Sequence, residues 1–533
     1  MDYSSFIKAE IDKHGYLTGQ DLNNKLIEKF NITSENGRKI IQRSVAQGHI
    51  KSTSPVTFGK NQFVYFNRPL NKAAIMHVTK KHRPAMYRLL AVLECTDGVV
   101  SYYEALKVTS SPLKREKTKM DHLDRIVQDL LYFNLIMEIQ TYNEINYIIH
   151  KTHEAHWRSA VNRHEMMMKL DCTFIRDVLV WLQKHNIINS ESVVYRSLSL
   201  LSKGAQHNNF VWDAFSYTST TGLTDDRNES KNTLVVLDVQ LSRPYAQHDL
   251  DGFYNRVQGV ICSSINKTRK VLPIIILNNT TDKIVQNRLK KLGFISFDLG
   301  TIYGERVYEI IKSLDRINDS ILYHSEPSIL IDEVKSTLDI LNETGQELNL
   351  QNLKGDLFEV LMYSVLRRII GEGDIEQNVI LKEKDKEGQI EKYEYDLIYK
   401  KKGPRERIII ELKGYKESSI IELGDSATKN TIRWFFRKTL PFAQSYYNKI
   451  DRPIQHPLKA CFITTAQFSD KALAALIKLN QGNLKPSMLD TFYDGNKLKK
   501  LLKEGEFTRE LDILEKYFFE KHLQNKPSDK VPF

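Results

Sequence analysis

The stretch RIIIELKGYK, residues 407–416, decides the fold of the C-terminal third of this chain. Its apolar residues at 408–410 and Leu412 predict a buried strand, yet the same strand carries Glu411 and Lys413. Residues two apart in a strand point to the same face, so these two charges lie side by side. A charge inside an apolar strand costs free energy unless a partner compensates it. We therefore expect Glu411 and Lys413 to have a chemical function.

The sequence before this strand adds a helix and a β-hairpin. GDLFEVLMYSVLRRII (355–370) predicts an amphipathic helix with Glu359 near its start. NVILKEKDKEGQIEKYEYDLIY (378–399) predicts a hairpin, and its second strand carries Asp396 inside an apolar run. We expect the helix and the hairpin to bring both acids to the strand that carries Glu411.

The predicted strands bring oxygen ligands for a hard cation together. Asp396 and Glu411, on neighbouring strands, are placed to share one divalent ion, and Mg²⁺ prefers oxygen ligands of this kind. The ammonium group of Lys413 would position or activate a water beside the ion, which lowers the pKa of the water and screens phosphate charge. Glu359 reaches the same place from the preceding helix.

Helix Glu359, strand Asp396 and the triplet from Glu411 to Lys413 together resemble the PD-(D/E)xK nuclease superfamily. The resemblance implies a mixed sheet flanked by helices and hydrolysis of phosphodiester bonds with Mg²⁺ or Mn²⁺. It also implies roles for single residues. Asp396 and Glu411 would be metal ligands, Lys413 the cation that orients water, and Glu359 an auxiliary acid.

The resemblance extends over about residues 350–480 of this sequence. An aromatic-rich helix is predicted within 429–449, and the strand ACFITTAQF (460–468) leads into a further helix, an order similar to the Mrr-like and Holliday-junction-resolvase branches. A Glu-x-Lys triplet alone is a weak signal, because this chain also has one at 229–231 and one at 333–335. Only the third closes an apolar strand downstream of a strand aspartate and a helix glutamate.

The middle of the chain shows the same order more weakly. FVWDAFSYT (210–218) predicts a strand with Asp213, and TLVVLDVQLSR (233–243) predicts a strand with Asp238 and Gln240 on one face. The helix, strand, helix and strand that follow complete the pattern, which resembles a second restriction-endonuclease-like core. Gln240 replaces the lysine there. Two interpretations stay open: a degenerate copy with a structural or DNA-docking role, or a second active site at Asp213, Asp238 and Gln240.

Positive charge is concentrated near the N-terminus. The formal net charge is +11, and residues 1–150 carry 21 basic and 15 acidic side chains. Residues 51–93 contain eight basic side chains and no acidic one. Local concentration of one sign is more informative than a net total, and it indicates a nucleic-acid partner.

The first unit resembles a winged helix. Helices are predicted over 5–14, 17–30 and 32–48, and a hairpin with a turn at Gly59 and Lys60 is predicted over 49–66. In that fold the third helix enters the major groove and the wing touches the backbone. The residues that we expect to contact DNA are Arg38, Lys39, Arg43, Lys51 and Lys60.

The pattern recurs in a second winged-helix-like unit. Helices are predicted over 86–98, 101–108 and 117–134, followed by a hairpin over 135–151. Lys107 belongs to the basic cluster of this unit. The expected DNA contacts are Lys114, Arg115, Lys117 and Lys119. The alternative is a helical module whose basic face is solvated or docks protein.

These parts predict a multidomain chain of mixed α+β and α/β class. The expected units are 1–75 and 76–152, both winged-helix-like; 153–316, restriction-endonuclease-like and degenerate; 317–350, a helical linker; and 351–533, the nuclease domain. We expect the whole to be a metal-dependent endonuclease that binds double-stranded DNA, with a role in prokaryotic defence or restriction by analogy.

Two other functions stay open: a non-catalytic DNA-binding regulator or scaffold with fossil nuclease folds, and a signal-activated nuclease that cuts RNA or single strands. We expect no membrane helix, because no stretch approaches the roughly 18 uninterrupted apolar residues that one needs. The four cysteines lie far apart without a CxxC pair, which argues against disulfides and a zinc site. This composition fits a cytoplasmic protein that is associated with the nucleoid. We expect a homodimer if the protein cuts both strands.

Overall fold

The structure is a computed structural model with several mixed sheets, and the expected mixed α+β multidomain architecture is confirmed at that level. The residues it describes are 2–59, 62–114, 120–141, 145–189, 193–197, 201, 203–219, 232–263, 269–322, 326–346, 350–371, 373–384, 390–401, 406–425, 427–429, 431–450 and 456–519. Within these ranges, no helix has the length and apolarity required to cross a bilayer.

The first unit has three helices and a small sheet. Its elements are α1 (Tyr3–His14), β1 (Tyr16–Thr18), α2 (Gly19–Phe30), α3 (Ser34–Ala46), β2 (Lys51–Ser52) and β3 (Val64–Phe66). The strands form an antiparallel sheet in the order β1-β3-β2. Thr18 and Thr33 cap α2 and α3, since each side chain accepts a hydrogen bond from a backbone N–H of the first turn.

The second unit follows the same plan after one additional helix. Its elements are α4 (Lys72–His82), α5 (Pro84–Cys95), β4 (Val99–Ser101), α6 (Tyr102–Thr109), α7 (Leu123–Tyr132), β5 (Ile136–Gln140) and β6 (Asn146–His150). The three strands form an antiparallel sheet in the order β4-β6-β5. Helix α4 was not predicted, and α7 begins at Leu123, six residues later than the sequence pattern predicts.

The middle region has a mixed sheet in the order β13-β12-β11-β10-β7. Its elements are α8 (Trp157–Lys184), β7 (Val194–Tyr195), β8 (Ala205–His207), β9 (Phe210–Trp212), β10 (Ala214–Thr218), β11 (Thr233–Gln240), α9 (Gln247–Ile261), β12 (Val271–Leu277), α10 (Lys283–Leu292), β13 (Ile295–Asp298) and α11 (Leu299–Tyr303). The predicted strand 210–218 is split. Its first half pairs with β8 in a separate sheet, and Asp213 lies between the halves.

The segment that was predicted as a linker forms part of the core. Helices α12 (Val307–Leu322) and α13 (Pro327–Glu343) pack on each other, and α12 also packs on α8. Leu330, Val334 and Leu338 are buried in an apolar cluster that continues from the middle sheet to the C-terminal sheet. The segment was expected to be a helical linker, and in the structure the apolar faces of its helices join the two sheet-bearing regions.

The C-terminal region is built on a second mixed sheet in the order β14-β15-β16-β18-β20. Its elements are α14 (Gln351–Ile370), β14 (Gly373–Lys384), β15 (Ile390–Lys401), β16 (Glu406–Lys413), β17 (Ile420–Ile421), α15 (Ile432–Trp434), a π-helical turn (Phe435–Thr439), α16 (Leu440–Ile450), β18 (Leu458–Thr464), β19 (Gln467–Phe468), α17 (Asp470–Asn480), β20 (Phe492–Tyr493), α18 (Gly495–Glu504) and α19 (Thr508–Tyr517). Strand β16 pairs antiparallel with β15 and parallel with β18.

Strand β16 occupies the centre of this sheet because its side chains are apolar on both faces. Ile409 packs in the cluster under α16 and α17, whereas Ile408 and Ile410 pack in the cluster under α14. Side chains alternate between the two faces of a strand, so Glu411 and Lys413 share one face, with the buried Leu412 between them on the other. The strand therefore holds both charges at its C-terminal end, where the apolar cover stops.

Candidate active site

Asp396, Glu411 and Lys413 converge at the adjoining ends of β15 and β16. Leu397 pairs with Ile410, which places Asp396 beside Glu411. The Lys413 Nζ lies 3.1 Å from Asp396 Oδ2 and 2.8 Å from Glu411 Oε1. The three side chains are 14–15% exposed, so the group is shielded but open on one side.

The backbone fixes the aspartate of this group. The N–H of Leu412 donates to Asp396 Oδ2 over 2.7 Å, and the Lys413 ammonium donates to the same oxygen. Lys413 also donates to the Leu412 carbonyl oxygen over 3.0 Å. The orientation of Asp396 thus depends on strand geometry and not only on side-chain rotamers.

Electrostatics couple these groups strongly. Burial, and then repulsion from Asp396, raise the pKa of Glu411 to about 7. Burial alone would lower the pKa of Lys413, but the carboxylates of Asp396 and Glu411 raise it well above its usual value. Lys413 therefore stays charged near neutral pH, while Glu411 is poised between its two protonation states.

Helix α14 brings Glu359 to this site, and also an acid that the sequence analysis missed. Burial, followed by repulsion from Asp396 and Asp356, raises the pKa of Glu359 well above its usual value. Burial is also the first cause that raises the pKa of Asp356 to about 7. Asp356 precedes Glu359 by three residues, so helical periodicity alone puts both on one face.

A further acid comes from β15. Glu394 lies two residues before Asp396, on the same face of the strand, and its charge raises the pKa of Glu411 and Asp356. The alternation of the strand was the signal that could have found it. Asp396, Glu411 and Glu359 raise the pKa of Lys413, and Glu394 and Asp356 belong to the same set of interacting carboxyl groups. This cluster of acids is the electrostatic feature that distinguishes the site.

A cleft adjoins the site, with a volume of about 120 Å³. Glu359, Asp356 and Asp396 line it together with residues of β14. Its opposite wall comes from α8 and α12, with Lys169 and Leu170 of α8 among the lining residues. The candidate site is therefore completed by the middle region and does not belong to the C-terminal region alone.

The site offers oxygen ligands of the kind that a hard divalent cation prefers, but fewer of them than the ion needs. Asp396 and Glu411 offer carboxylate oxygens, and the excess of acids around Lys413 favours additional positive charge. Among the described residues, however, no three His, Cys, Asp or Glu side chains are grouped closely enough to hold a metal ion. The geometry therefore suits an ion held by two carboxylates, with water and substrate phosphate as its other ligands, a mode common for Mg²⁺.

The middle region repeats this local geometry. Ala214 pairs with Leu237, as Leu397 pairs with Ile410, so Asp213 lies beside Asp238. The N–H of Val239 donates to Asp213 Oδ2 over 2.8 Å, the equivalent of the bond from the Leu412 N–H to Asp396. The register of β10 with β11 therefore matches that of β15 with β16, which sets Asp213 in the position of Asp396 and Asp238 in that of Glu411. Gln240 then takes the sequence position of Lys413.

The missing lysine of the middle region is supplied from another unit. Lys107 of α6 pairs with Asp213, and its Nζ lies 2.9 Å from Asp238 Oδ1. These contacts match those of Lys413 with its two acids. Lys107 is 8% exposed, so it does not share an exposed basic surface with the lysines that follow it in the sequence: two buried carboxylates hold it inside the protein.

Two arginines complete the neutralisation of the middle acids. Arg196 Nε lies 3.0 Å from Asp213 Oδ1, and Arg256 Nη2 lies 3.0 Å from Asp238 Oδ1. Asp213 and Asp238 are 0% and 2% exposed. Gln240 donates to Ser242 Oγ over 3.0 Å and to Asp171 Oδ2 over 3.4 Å. This closed network favours the structural interpretation of the middle copy over a second active site.

The predicted DNA-contacting side chains are exposed where the structure describes them. Arg38, Lys39 and Arg43 lie on the outer face of α3, and Lys51 begins β2. Lys39 also pairs with Glu35 over 2.8 Å, one turn away. In the second unit, Lys114 is exposed. The other predicted contacts lie outside the described residues: Lys60, Arg115, Lys117 and Lys119.

Comparison with known proteins gives no relative from which a function could be transferred. No protein-family model, no curated protein and no solved structure shows a significant match to this chain. The functional conclusion therefore depends on the geometry and charge of the site.

Proposed function

We propose that this protein is a divalent-metal-dependent nuclease that hydrolyses phosphodiester bonds of DNA. One observation carries the proposal. A lysine and two carboxylates converge at the end of a buried strand pair, with Lys413 Nζ 3.1 Å from Asp396 and 2.8 Å from Glu411, beside further acids whose pKa values are raised. Ionised acids at such a buried place are costly unless a cation compensates them.

Each side chain has a place in the proposed reaction. Asp396 and Glu411 would hold Mg²⁺ or Mn²⁺, which supplies charge that screens the phosphate and lowers the pKa of water. Lys413, which stays protonated, would donate a hydrogen bond that orients the attacking water. Glu359 keeps its proton near neutral pH because its pKa is raised, so it would protonate the leaving oxygen.

The N-terminal units would hold the substrate. Arg38, Lys39 and Arg43 present positive charge on one helix face, and neutralisation of phosphates by such side chains supplies sequence-independent affinity. The second unit has a different task in this proposal, because Lys107 docks it onto the middle region. By analogy with other nucleases that carry DNA-binding modules, we propose that the protein is associated with the nucleoid and acts in prokaryotic defence.

The direct test is incubation of supercoiled plasmid with Mg²⁺ or Mn²⁺. Wild type is expected to nick or linearise the plasmid, whereas Glu411→Ala and Lys413→Ala are expected to lose at least about a hundredfold in rate, as for other positioned acid–base groups. Asp490→Ala, which removes an acid elsewhere in the same region, is the control. DNA that is bound but left intact under every condition supports the non-catalytic regulator instead, and cleavage restricted to RNA supports the signal-activated alternative.

Mass photometry with and without DNA tests the homodimer. A one-site chain that makes double-strand breaks is expected to be dimeric on DNA, since each site cuts one strand. A strict monomer that still makes double-strand breaks would point to a second active site in the middle region.

A further inference from the structure

The cleft beside the candidate site has the chemistry of a nucleobase pocket. Its broad walls are apolar, with Leu170 of α8, Ile317 of α12 and Leu397 of β15 among them. The polar lining includes the acids Asp356, Glu359 and Asp396 and also three carboxamides, which each carry both a donor and an acceptor. Flat apolar surfaces with few placed polar groups are what small-molecule sites use for affinity and orientation.

The three carboxamides come from two different regions of the chain. Asn318 belongs to α12 of the middle region, whereas Gln377 and Asn378 belong to β14 of the catalytic sheet. The edge of a nucleobase presents donors and acceptors in a fixed pattern, which side-chain amides match. Amides on both walls therefore allow a base to be held from two sides.

The backbone at Asn378 is unusual for a strand. Gln377 pairs with Leu397 and Val379 pairs with Tyr395, so Asn378 lies across from Asp396. Its φ is 51°, in the left-handed region that non-glycine residues seldom adopt. Conformations of this kind cost free energy and cluster at binding and catalytic sites. Here the distortion is directly opposite the proposed metal ligand.

Positive charge lies on the same cleft. Lys169 of α8 lines it, with a side chain 31% exposed, and its Nζ lies 3.1 Å from Glu165 Oε1 one turn earlier. Lys169 lines the same cleft as Asp356 and Glu359. A phosphate at the mouth of the cleft would therefore have a cation within the lining.

We infer that this cleft binds one unpaired nucleotide of the DNA strand, adjacent to the phosphate that is cut. The base lies between the apolar walls, its edge on the amides of Asn318, Gln377 and Asn378, and Lys169 contacts the neighbouring phosphate. The inference rests on the proposed nuclease function and names its substrate: a single strand, or a strand with an unpaired nucleotide. The cleft is too small for a duplex, and a paired base would have to leave the stack to enter it.

A binding measurement separates this pocket from catalysis. The probe is a short fluorescein-labelled oligothymidylate, too short to reach the N-terminal units, and the measurement is its anisotropy with the Glu411→Gln protein in Mg²⁺. Asn378→Gly removes the amide and keeps the left-handed backbone, which glycine adopts without strain. Asn318→Ala tests the opposite wall. Each is expected to raise Kd by about five- to tenfold, the effect of one or two lost hydrogen bonds.

The matched control is Asn186→Gly. Asn186 is also left-handed, with φ 56°, but it is exposed at the C-terminal end of α8 and does not line the cleft. Its substitution is expected to leave Kd unchanged. Equal Kd values for Asn378→Gly, Asn318→Ala and the control would overturn the pocket.

Photocrosslinking locates the bound base independently. An oligonucleotide with 5-iododeoxyuridine is expected to attach to peptides of β14, α12 or α8 that line the cleft, and attachment only to the N-terminal units would overturn the inference. The two proposals fail differently. If the protein cuts closed duplex as fast as single strands, and Asn378→Gly cuts at the wild-type rate, the nuclease proposal stands and the pocket is refuted. If no cleavage occurs at all, the nuclease proposal itself is refuted.

Discussion

The buried network of the middle region makes a quantitative prediction about two substitutions. Asp213→Asn removes a fully buried carboxylate that contacts Lys107, Arg196 and the hydroxyl of Tyr103. Lys107 would keep Asp238 at 2.9 Å, but Arg196 would lose its ion pair with Asp213. Breaking a buried pair in this way costs about 3–5 kcal/mol.

Lys107→Met should cost less, because it leaves a balanced set. Asp213 keeps Arg196 at 3.0 Å, and Asp238 keeps Arg256 at 3.0 Å. Two acids and two arginines remain, and methionine fills most of the vacated volume. We expect a loss below about 3 kcal/mol, the low end of the range for buried pairs.

Thermal unfolding followed by tryptophan fluorescence measures the difference. For a cooperative unit of 150–250 residues, each 1 kcal/mol lowers Tm by about 2–4 °C, so Asp213→Asn should lower it by about 6–20 °C and Lys107→Met by less. A larger decrease in Tm for Lys107→Met than for Asp213→Asn would refute this explanation from charge balance. Both proteins should still cleave DNA below their transitions; loss of cleavage by a folded Asp213→Asn protein would show that the middle site is catalytic.

Three further predictions follow from contacts elsewhere. A Cβ at Gly252 would lie 2.8 Å from the carbonyl oxygens of Lys107 and Val108, so Gly252→Ala should force α9 away from α6 and lower stability by about 1–3 kcal/mol, read from Tm. Arg38→Ala with Arg43→Ala should weaken duplex binding equally for all sequences and reduce the slope of log K against log salt by about 2. The pKa of Glu411 is about 7, and only its ionised form binds a cation. Mn²⁺ affinity measured by electron paramagnetic resonance should therefore increase about tenfold for each unit that the pH is raised toward 7, and stay constant above it. An affinity that does not change with pH would exclude Glu411 as a ligand.

Local sequence patterns predicted most of the secondary structure around the site. The apolar run of β16 is a strong signal because that strand is covered on both faces, and the alternation of apolar and polar residues in β15 is typical of a partly exposed strand. The helix after β18 was expected from Ser469, and it begins at Asp470 with Ser469 as its cap residue. These features depend on neighbours in the chain, which a single sequence contains.

Long-range charge pairing could not be predicted in the same way. Lys107 was assigned to a basic cluster with the cations that follow it in the sequence, but its partners Asp213 and Asp238 are more than a hundred residues away. The same limit applies to the cleft, whose walls combine α8 with β14. Asp356 and Glu394 are different, since helical and strand periodicity would have placed them beside Glu359 and Asp396.

Single-turnover cleavage of a labelled oligonucleotide with Mg²⁺ tests whether Glu411 and Lys413 are catalytic. Wild type, Glu411→Gln and Lys413→Ala are compared after circular dichroism confirms that all are folded. Glu411→Gln is a mild change, because an amide is isosteric with a carboxyl group that is already close to half protonated near pH 7. The account predicts metal-dependent cleavage by wild type and a loss of at least about a hundredfold in both variants. Cleavage by either variant at the wild-type rate would contradict it.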